Sequence, residues 1–457
     1  MTELNTEALA AAVSGEVLRP GDADYDEARR VWNVRFDGRP AADVRCADAE
    51  DVRSAVRFAH RCGLQLSVKG GGHAYAANTV GDDGLLVDLS RMKGLTVDPE
   101  AKTARVEPGV TWGEFDQAAQ QHALATPGGT VSTVGVAGLA LGGGAGYLSR
   151  KHGMTIDNLL SADVVIADGG LIRASLEENA DLFWALRGGG GNFGVVTSFE
   201  FRLHEHGPEV LAGQIVHRFD DARDVLRLYR DFMDEAPDEI QCYAFVLRVP
   251  PIDVFPKEFH GELAIDLVVF HTDVGGEESL RPLLDFGDPI LAFVARQAYT
   301  EVQQAFDASL PAGHRYESRA HYFTALSDEA LEAFTANVNE LPGPFTVAYF
   351  GAEGGAIGHV SGSATAFPHR DAAYSLHVLA GWTDPDRDTQ VTAWARQLHE
   401  AMSPYATGGV YVNLLGTGEQ ERVEAAYGAN HHRLRELKRQ WDPANLFRMN
   451  HNIKPMV

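Results

Sequence analysis

Cysteine is scarce in this chain, with three residues in 457: Cys46, Cys62 and Cys242. They share no short spacing, so neither a disulfide framework nor a zinc cluster is supported, and a sparse, odd count suits a reducing compartment. Lysine is rare too, at seven of the 39 basic residues. With 64 acids the net charge is −25, which argues against nucleic acid or an anionic membrane as a partner. No stretch approaches the roughly 20 apolar residues of a membrane span. The opening Met1-Thr2-Glu3-Leu4-Asn5-Thr6-Glu7 carries no basic segment ahead of an apolar run, so no leader is read there. The expectation is a soluble, cytoplasmic protein. His369, His431, His432 and His451 lack metal-ligand spacing, and no metal site is expected. Also missing are Gly-x-x-x-x-Gly-Lys-Ser/Thr and a Gly-x-Gly-x-x-Gly at a first strand-to-helix turn, so a nucleoside triphosphatase and a nicotinamide dehydrogenase both lose ground.

What the chain has in abundance is apolar material, 45% of residues, and glycine, 47 residues. At this length two or three domains are expected, since single cores stop growing at roughly 250–300 residues. In the first half, Asp48 can cap a helix with Val52, Ala55, Val56 and Ala59 on one face and Gly63 as its stop. Thr111-Trp112-Gly113-Glu114 reads as a capping box. Short strands lie between these helices, and three glycine tracts sit where strands end: Gly70-Gly71-Gly72, Pro127 to Gly146, and Gly188 to Gly194. Glycine allows close backbone approach, and stacked N–H groups in such loops can hold a pyrophosphate. From about Glu209 the texture changes. Strand-like runs (Leu211–Phe219, Ile240–Val249, Leu263–His271, Phe345–Phe350, Ala373–Trp382) alternate with helical runs near Asp221–Glu235, Asp328–Leu341 and Asp386–Met402. That is an α+β pattern built on a large antiparallel sheet covered by helices.

At the glycine tracts the sequence resembles a known family. Gly70-Gly71-Gly72-His73, Thr133-Val134-Gly135-Val136-Ala137-Gly138, the run Gly142 to Gly153, Asp157-Asn158, Leu182-Phe183-Trp184-Ala185, Gly191 to Thr197 and Asp442 to Phe447 look like the FAD-linked oxidases of the vanillyl-alcohol-oxidase/PCMH superfamily, berberine-bridge-like group. The match runs in order from roughly Arg39 to the C-terminus. It implies a two-part PCMH-type FAD-binding domain (residues 1–207), a substrate-binding α+β domain (208–410) and a C-terminal segment returning to the FAD domain (411–457). The implied activity is oxidation of a small organic substrate by hydride transfer to flavin N5, with O2 as acceptor and H2O2 as product. A dehydrogenase using another acceptor and a non-catalytic flavin-binding protein remain the alternatives.

The resemblance assigns FAD contacts to Val68, Gly70, Gly71, Gly72, His73, Ala74, Pro127, Thr130, Thr133, Val134, Gly135, Gly138, Gly142, Gly143, Val195 and Val196, and to the amides of Asn158, Asn413, Asn450 and Asn452. His73 matches the histidine that attaches covalently to the flavin 8α-methyl group, and a neutral imidazole is a competent nucleophile. Where many relatives carry a second attachment through cysteine this chain has Val131, so a single bond through His73 is expected. Val134 matches the position that governs oxygen access. For the catalytic base, the tyrosine that some relatives use is Leu414 here. The stretch Gly354-Gly355-Ala356-Ile357-Gly358-His359 is read as a strand placing His359 over the flavin, with Glu353 close by. Tyr147, Tyr349 and Tyr411 are further pocket candidates.

Overall fold

Asp48 lies in extended backbone and its carboxylate accepts from the N–H groups of Glu50 and Asp51, so the helix Ala49–Cys62 starts where local chemistry dictates; Gly63, at φ 63°, ends it. Thr111 and Glu114 close a reciprocal capping box at the head of the helix Trp112–Gln120. The computed structural model describes residues Thr6 to Met456; Met1 to Asn5, where no leader was read, and Val457 lie outside them.

Among the described residues the first half carries two larger sheets. One has the order Glu16–Leu18, Ala42–Arg45, Leu85–Asp88, Leu66–Lys69, with the last three strands parallel. The other is antiparallel, in the order Leu95–Asp98, Thr103–Val106, Val195–Arg202, Leu159–Val165, Leu171–Ser175. The helix Ala49–Cys62 buries Val52, Ala55, Val56 and Ala59 against the first sheet and Val165 and Val195 of the second. Each large apolar side chain buried this way contributes about 1.5–3 kcal/mol.

The second half forms a seven-stranded antiparallel sheet in the order Leu291–Ala298, Glu209–Arg218, Leu263–His271, Ile240–Arg248, Val347–Ala352, Tyr374–Trp382, Arg315–Phe323. The helices Ala222–Glu235, Asp328–Val338 and Asp388–Met402 cover one face, packing Tyr229, Phe334 and Trp394 over Ala244, Phe350, Leu376 and Val378. Because strand side chains alternate, the other face carries Tyr349 and Gly351 opposite His377 and Ser375. That face looks toward the glycine tracts.

The stretch from Gly354 to His359 departs from the sequence reading. The strand stops at Ala352, Gly354 (φ 79°) and Gly355 (φ 52°) turn the chain away, and a short 3-10 turn follows. Two consecutive residues in the left-handed region cannot continue a strand. His359 ends up exposed on the turn.

The C-terminal segment is fastened to the first half by a buried ion pair on the helix His431–Trp441. Lys438 Nζ donates to Asp442 (2.7 Å), to the carbonyl of Asn192 (2.7 Å) and to that of Phe447 (2.8 Å). Asp442 accepts in turn from the N–H groups of Leu446 and Phe447. No helix among the described residues is long and apolar enough to cross a membrane.

Candidate active site

The three glycine tracts converge on one cavity of about 380 Å³. Gly70, Gly71, Gly72, His73 and Ala74 line it, together with Val68, Thr130, Val134, Gly135, Gly138, Val195, Val196, Tyr411, Asn413 and Asn450. Glycine is required at Gly71, where an added Cβ would stand 2.6 Å from Gly135 N and 2.7 Å from its Cα. The first two tracts therefore touch backbone to backbone. Gly138 is the opposite case: it lies in the helix Val136–Gly142, and a Cβ there would meet nothing within 4 Å.

His73 stacks on Trp32 with ring centroids 4.0 Å apart, and Trp32 stacks in turn on Tyr316 at 3.8 Å. Its Nε2 lies 3.3 Å from the Thr133 hydroxyl. Burial pushes the imidazole down to about 4, so the ring is neutral at ordinary pH. Val131 also lines the cavity and no cysteine does. Cys46 and Cys242 are buried elsewhere, and Cys62 is exposed on the helix Ala49–Cys62.

Several expected residues stand outside this lining. Thr133 reaches the site only through His73. Pro127 accepts a hydrogen bond from Thr155 (2.7 Å), and Gly143 packs against Met154, Tyr411 and Phe367. Gly142 gives room to the Asn413 side chain. Asn158 is tied into its own loop, donating to the carbonyls of His152 and Met154. Tyr147 is buried in a separate apolar cluster, stacked on Phe270 at 4.9 Å. His359 lines no part of the cavity, because the strand that was to carry it ends at Ala352.

The sheet face above the cavity holds a hydrogen-bonded chain that joins Tyr349 and Glu353, both named from the sequence, through Ser375 and His377, which were not. The Tyr349 hydroxyl lies 2.8 Å from His377 Nδ1, His377 Nε2 lies 2.9 Å from Ser375 Oγ, and Ser375 donates to Glu353 Oε1 at 2.8 Å. Tyr349 and His377 line the main cavity. They also wall a side chamber of about 60 Å³, into which Glu353, Ser375, Gln241, Tyr243 and Tyr322 project. Burial pushes His377 down to about 3 and raises Tyr349 and Glu353; the Ser375 hydrogen bond and Arg150 pull Glu353 partly back. The Tyr411 oxygen accepts from Gly144 N (2.8 Å) and from Asn413 Nδ2 (2.9 Å), so its own proton is free to be donated into the cavity. The signal was present in the sequence. Ser375 and His377 are polar at period two within an apolar strand, and Tyr349, Gly351 and Glu353 keep the same period on its neighbour.

The residues fit a flavin dinucleotide. The cavity falls within the 300–1,000 Å³ typical of cofactor sites. Asn450, on the lining, donates to the carbonyls of Gly191 and Phe447, but its buried Oδ1 has no partner. Asn452 Oδ1 is also unpartnered, but Asn452, expected at the cofactor, stands outside the lining. Buried amide oxygens left without a donor mark where a ligand N–H or O–H belongs. Among the described residues no cluster of side chains could hold a metal ion.

Comparison with known proteins agrees with this geometry. A family model described as "FAD binding domain" matches residues 40–175, and one described as "Berberine and berberine like" matches residues 410–454. The chain is 31% identical over 454 residues to the uncharacterized FAD-linked oxidoreductase YgaK of Bacillus subtilis, covering 97% of this chain and 98% of that one. It is also 31% identical over 469 residues to the (R)-6-hydroxynicotine oxidase of Paenarthrobacter nicotinovorans, covering 98% of each. The solved xylooligosaccharide oxidase of Myceliophthora thermophila C1, in complex with xylobiose, superposes with a TM-score of 0.86 at 26% identity, covering 100% of both chains.

Proposed function

The chain belongs to the berberine-bridge-like FAD-linked oxidoreductases, and from that premise we propose that it is an oxidase whose FAD is held by one covalent bond through His73 and whose substrate is a small amine or alcohol. FAD supplies a hydride acceptor when bound and, in an oxidase, returns the electrons to O2 as H2O2. The observation that carries the reading is a cavity bounded below by His73 and the glycine tracts and above by Tyr349, His377 and Tyr411.

The chain's own residues have distinct tasks in this reading. Trp32 fixes the plane of the His73 ring, Thr133 holds its Nε2 edge, and the neutral imidazole supplies the lone pair for attachment. With no cysteine on the lining, a second bond has no donor. The glycine backbone, Asn413 and Asn450 would hold the cofactor. Tyr411, its oxygen already accepting two N–H groups, orients a substrate acceptor atom by donating its proton. Tyr349, backed by neutral His377, takes the substrate's O–H or N–H proton, the role first given to His359. Val134, on the lining, would govern O2 access, as the resemblance implies for its position.

Both kinds of substrate can be tried directly. Purified enzyme is mixed without air with (R)-6-hydroxynicotine and, separately, with xylobiose, and the oxidised flavin absorbance is followed; air is then admitted and peroxide measured. Bleaching by one of the probes and one peroxide per turnover is expected. Bleaching followed by slow reoxidation without peroxide would favour the dehydrogenase alternative, and flavin that no amine or alcohol bleaches would refute the proposal.

A further inference from the structure

The side chamber behind the cavity contains a carboxyl group, Glu353, to which the reading above gives no role, and it lies at the end of an unbroken hydrogen-bonded chain. We infer that Glu353 is the terminal proton acceptor of the site and that its charge sets the direction of the chain running through Ser375 and His377 to Tyr349; this rests on the oxidase reading above.

The polarity follows from donor and acceptor counting. An ionised Glu353 can only accept, so Ser375 must give it its O–H. The Ser375 oxygen then accepts from His377, which must carry its proton on Nε2. His377 Nδ1 is left as a lone pair and accepts the Tyr349 O–H. Every proton points away from the cavity, and the Tyr349 oxygen presents lone pairs to a substrate O–H or N–H. When Glu353 is protonated the order reverses. Glu353 donates to Ser375, Ser375 to His377 Nε2, Nδ1–H to Tyr349, and the Tyr349 proton turns into the cavity. One proton on a carboxyl group thus converts the site from base to acid.

The transfer balances. The substrate X–H bond breaks and an O–H bond forms at Tyr349. The Tyr349 proton passes to His377 Nδ1, the Nε2 proton to Ser375, and the Ser375 proton to Glu353. The X–H electron pair stays on X and forms the C=X bond as the C–H pair leaves as hydride to bound FAD. Neither Tyr349 nor His377 ends with a charge, which suits groups whose phenolate and imidazolium forms burial disfavours. Space for Ser375 is made by Gly351, where a Cβ would stand 3.0 Å from Ser375 Oγ.

Several groups face Glu353. Ser375 and His377 come from one neighbouring strand and Tyr322 from the next. Gln241 and Tyr243 come from the strand Ile240–Arg248, and Tyr411 from the C-terminal segment. Tyr229, on the helix covering the opposite face, feels the Glu353 charge but hydrogen-bonds the carbonyls of Cys242 and Phe350. Among the described residues Arg150 is the cation that acts on it, and its guanidinium donates to the Glu353 carbonyl (2.6 Å), to that of Ile240 and to that of Ala236. With the Ser375 hydrogen bond it opposes the effect of burial on Glu353, although the net shift stays upward. The chamber has room for a few waters, which can carry the proton onward.

The test is nitrogen NMR of 15N-histidine holoenzyme, with the His377 signals assigned by their loss in His377→Gln. The expected result is an exchange of tautomers with pH, Nε2–H at high pH and Nδ1–H at low pH, that disappears in Glu353→Gln and persists in Tyr349→Phe. A tautomer that does not change between about pH 5 and 10, or a change that survives in Glu353→Gln, would overturn the inference. Rapid anaerobic reduction by (R)-6-hydroxynicotine or xylobiose, whichever bleaches the flavin, supplies a second readout. Glu353→Gln should slow the step about 10²-fold, within the 10²–10⁴ range of acid–base catalysis, at unchanged substrate Kd. A weakened Kd with an unchanged rate would make Glu353 a substrate anchor and overturn the inference. If neither probe bleaches the flavin, the oxidase reading is in question while the tautomer measurement still decides the chain's polarity.

Discussion

Replacing Gly138 by alanine separates the cavity's role from the fold's. Gly138 lies within the helix Val136–Gly142, and its added methyl would enter the cavity with no protein atom within 4 Å. In the cofactor-free protein the substitution should stabilise slightly, by up to about 1 kcal/mol, the helix-propensity difference between glycine and alanine. If FAD occupies the cavity, the same methyl overpacks against it at a cost of about 1–3 kcal/mol. Since 1.4 kcal/mol is tenfold, FAD affinity should fall by about 5- to 150-fold. The measurement is made in a His73→Ala background, where binding is reversible, by titrating FAD against its fluorescence quenching and recording Tm without FAD. Raised or unchanged Tm with weakened FAD binding is expected. Undiminished affinity would refute the placement of FAD against this helix. Gly71→Ala is the contrasting control, because its Cβ would collide with Gly135 backbone at 2.6 Å and should destabilise the protein even without FAD.

Other consequences are equally direct. Lys438→Met removes one partner of a wholly buried ion pair and should cost about 3–5 kcal/mol, read as a lowered Tm and early flavin fluorescence on heating; unchanged Tm would contradict the fastening role. Asp43, with both oxygens buried and unpartnered, is pushed up to about 7, first by burial and then by the neighbouring Asp88. The folded state therefore holds this proton more tightly than the unfolded chain, and stability should fall as pH rises from about 4 to about 7. Asp43→Asn should raise Tm at pH 8 and leave it unaltered at pH 4, and an equal slope in wild type and variant would count against this. His359→Ala, on an exposed turn, should reduce its flavin within about twofold of wild type, whereas His377→Ala should be slowed about 10²-fold. The reverse order would restore His359 as the base.

Much of the fold was legible because local chemistry and tertiary packing agree. Asp48, Gly63 and the Thr111–Glu114 box mark helix ends by hydrogen bonds within a few residues, which a sequence displays directly. Two strands of the large sheet were not read, for opposite reasons. Leu291–Ala298 is an edge strand with little burial, so its apolar residues do not alternate. Arg315–Phe323 hides charged residues whose partners are mostly distant, Glu317 with Arg35 and Arg319 with Glu419, and so looks too polar for a core. The glycine tracts and His73 were found because their chemistry is contiguous in sequence. His359 was placed over the cavity wrongly because that placement depends on where a strand ends and on which of two faces looks at the cavity. Gly354 and Gly355 end the strand, and the polar pair Ser375 and His377 gains meaning only once Tyr349 and Glu353 stand beside it.

Whether His73 carries the FAD is read most directly from peptide mass. Flavin-loaded enzyme is denatured in acid and digested, and the peptide containing His73 is weighed. One FAD on that peptide, a yellow precipitate, and release of all flavin on denaturing His73→Ala are predicted. A colourless precipitate from fully loaded protein, with the His73 peptide at its unmodified mass, would contradict the covalent assignment.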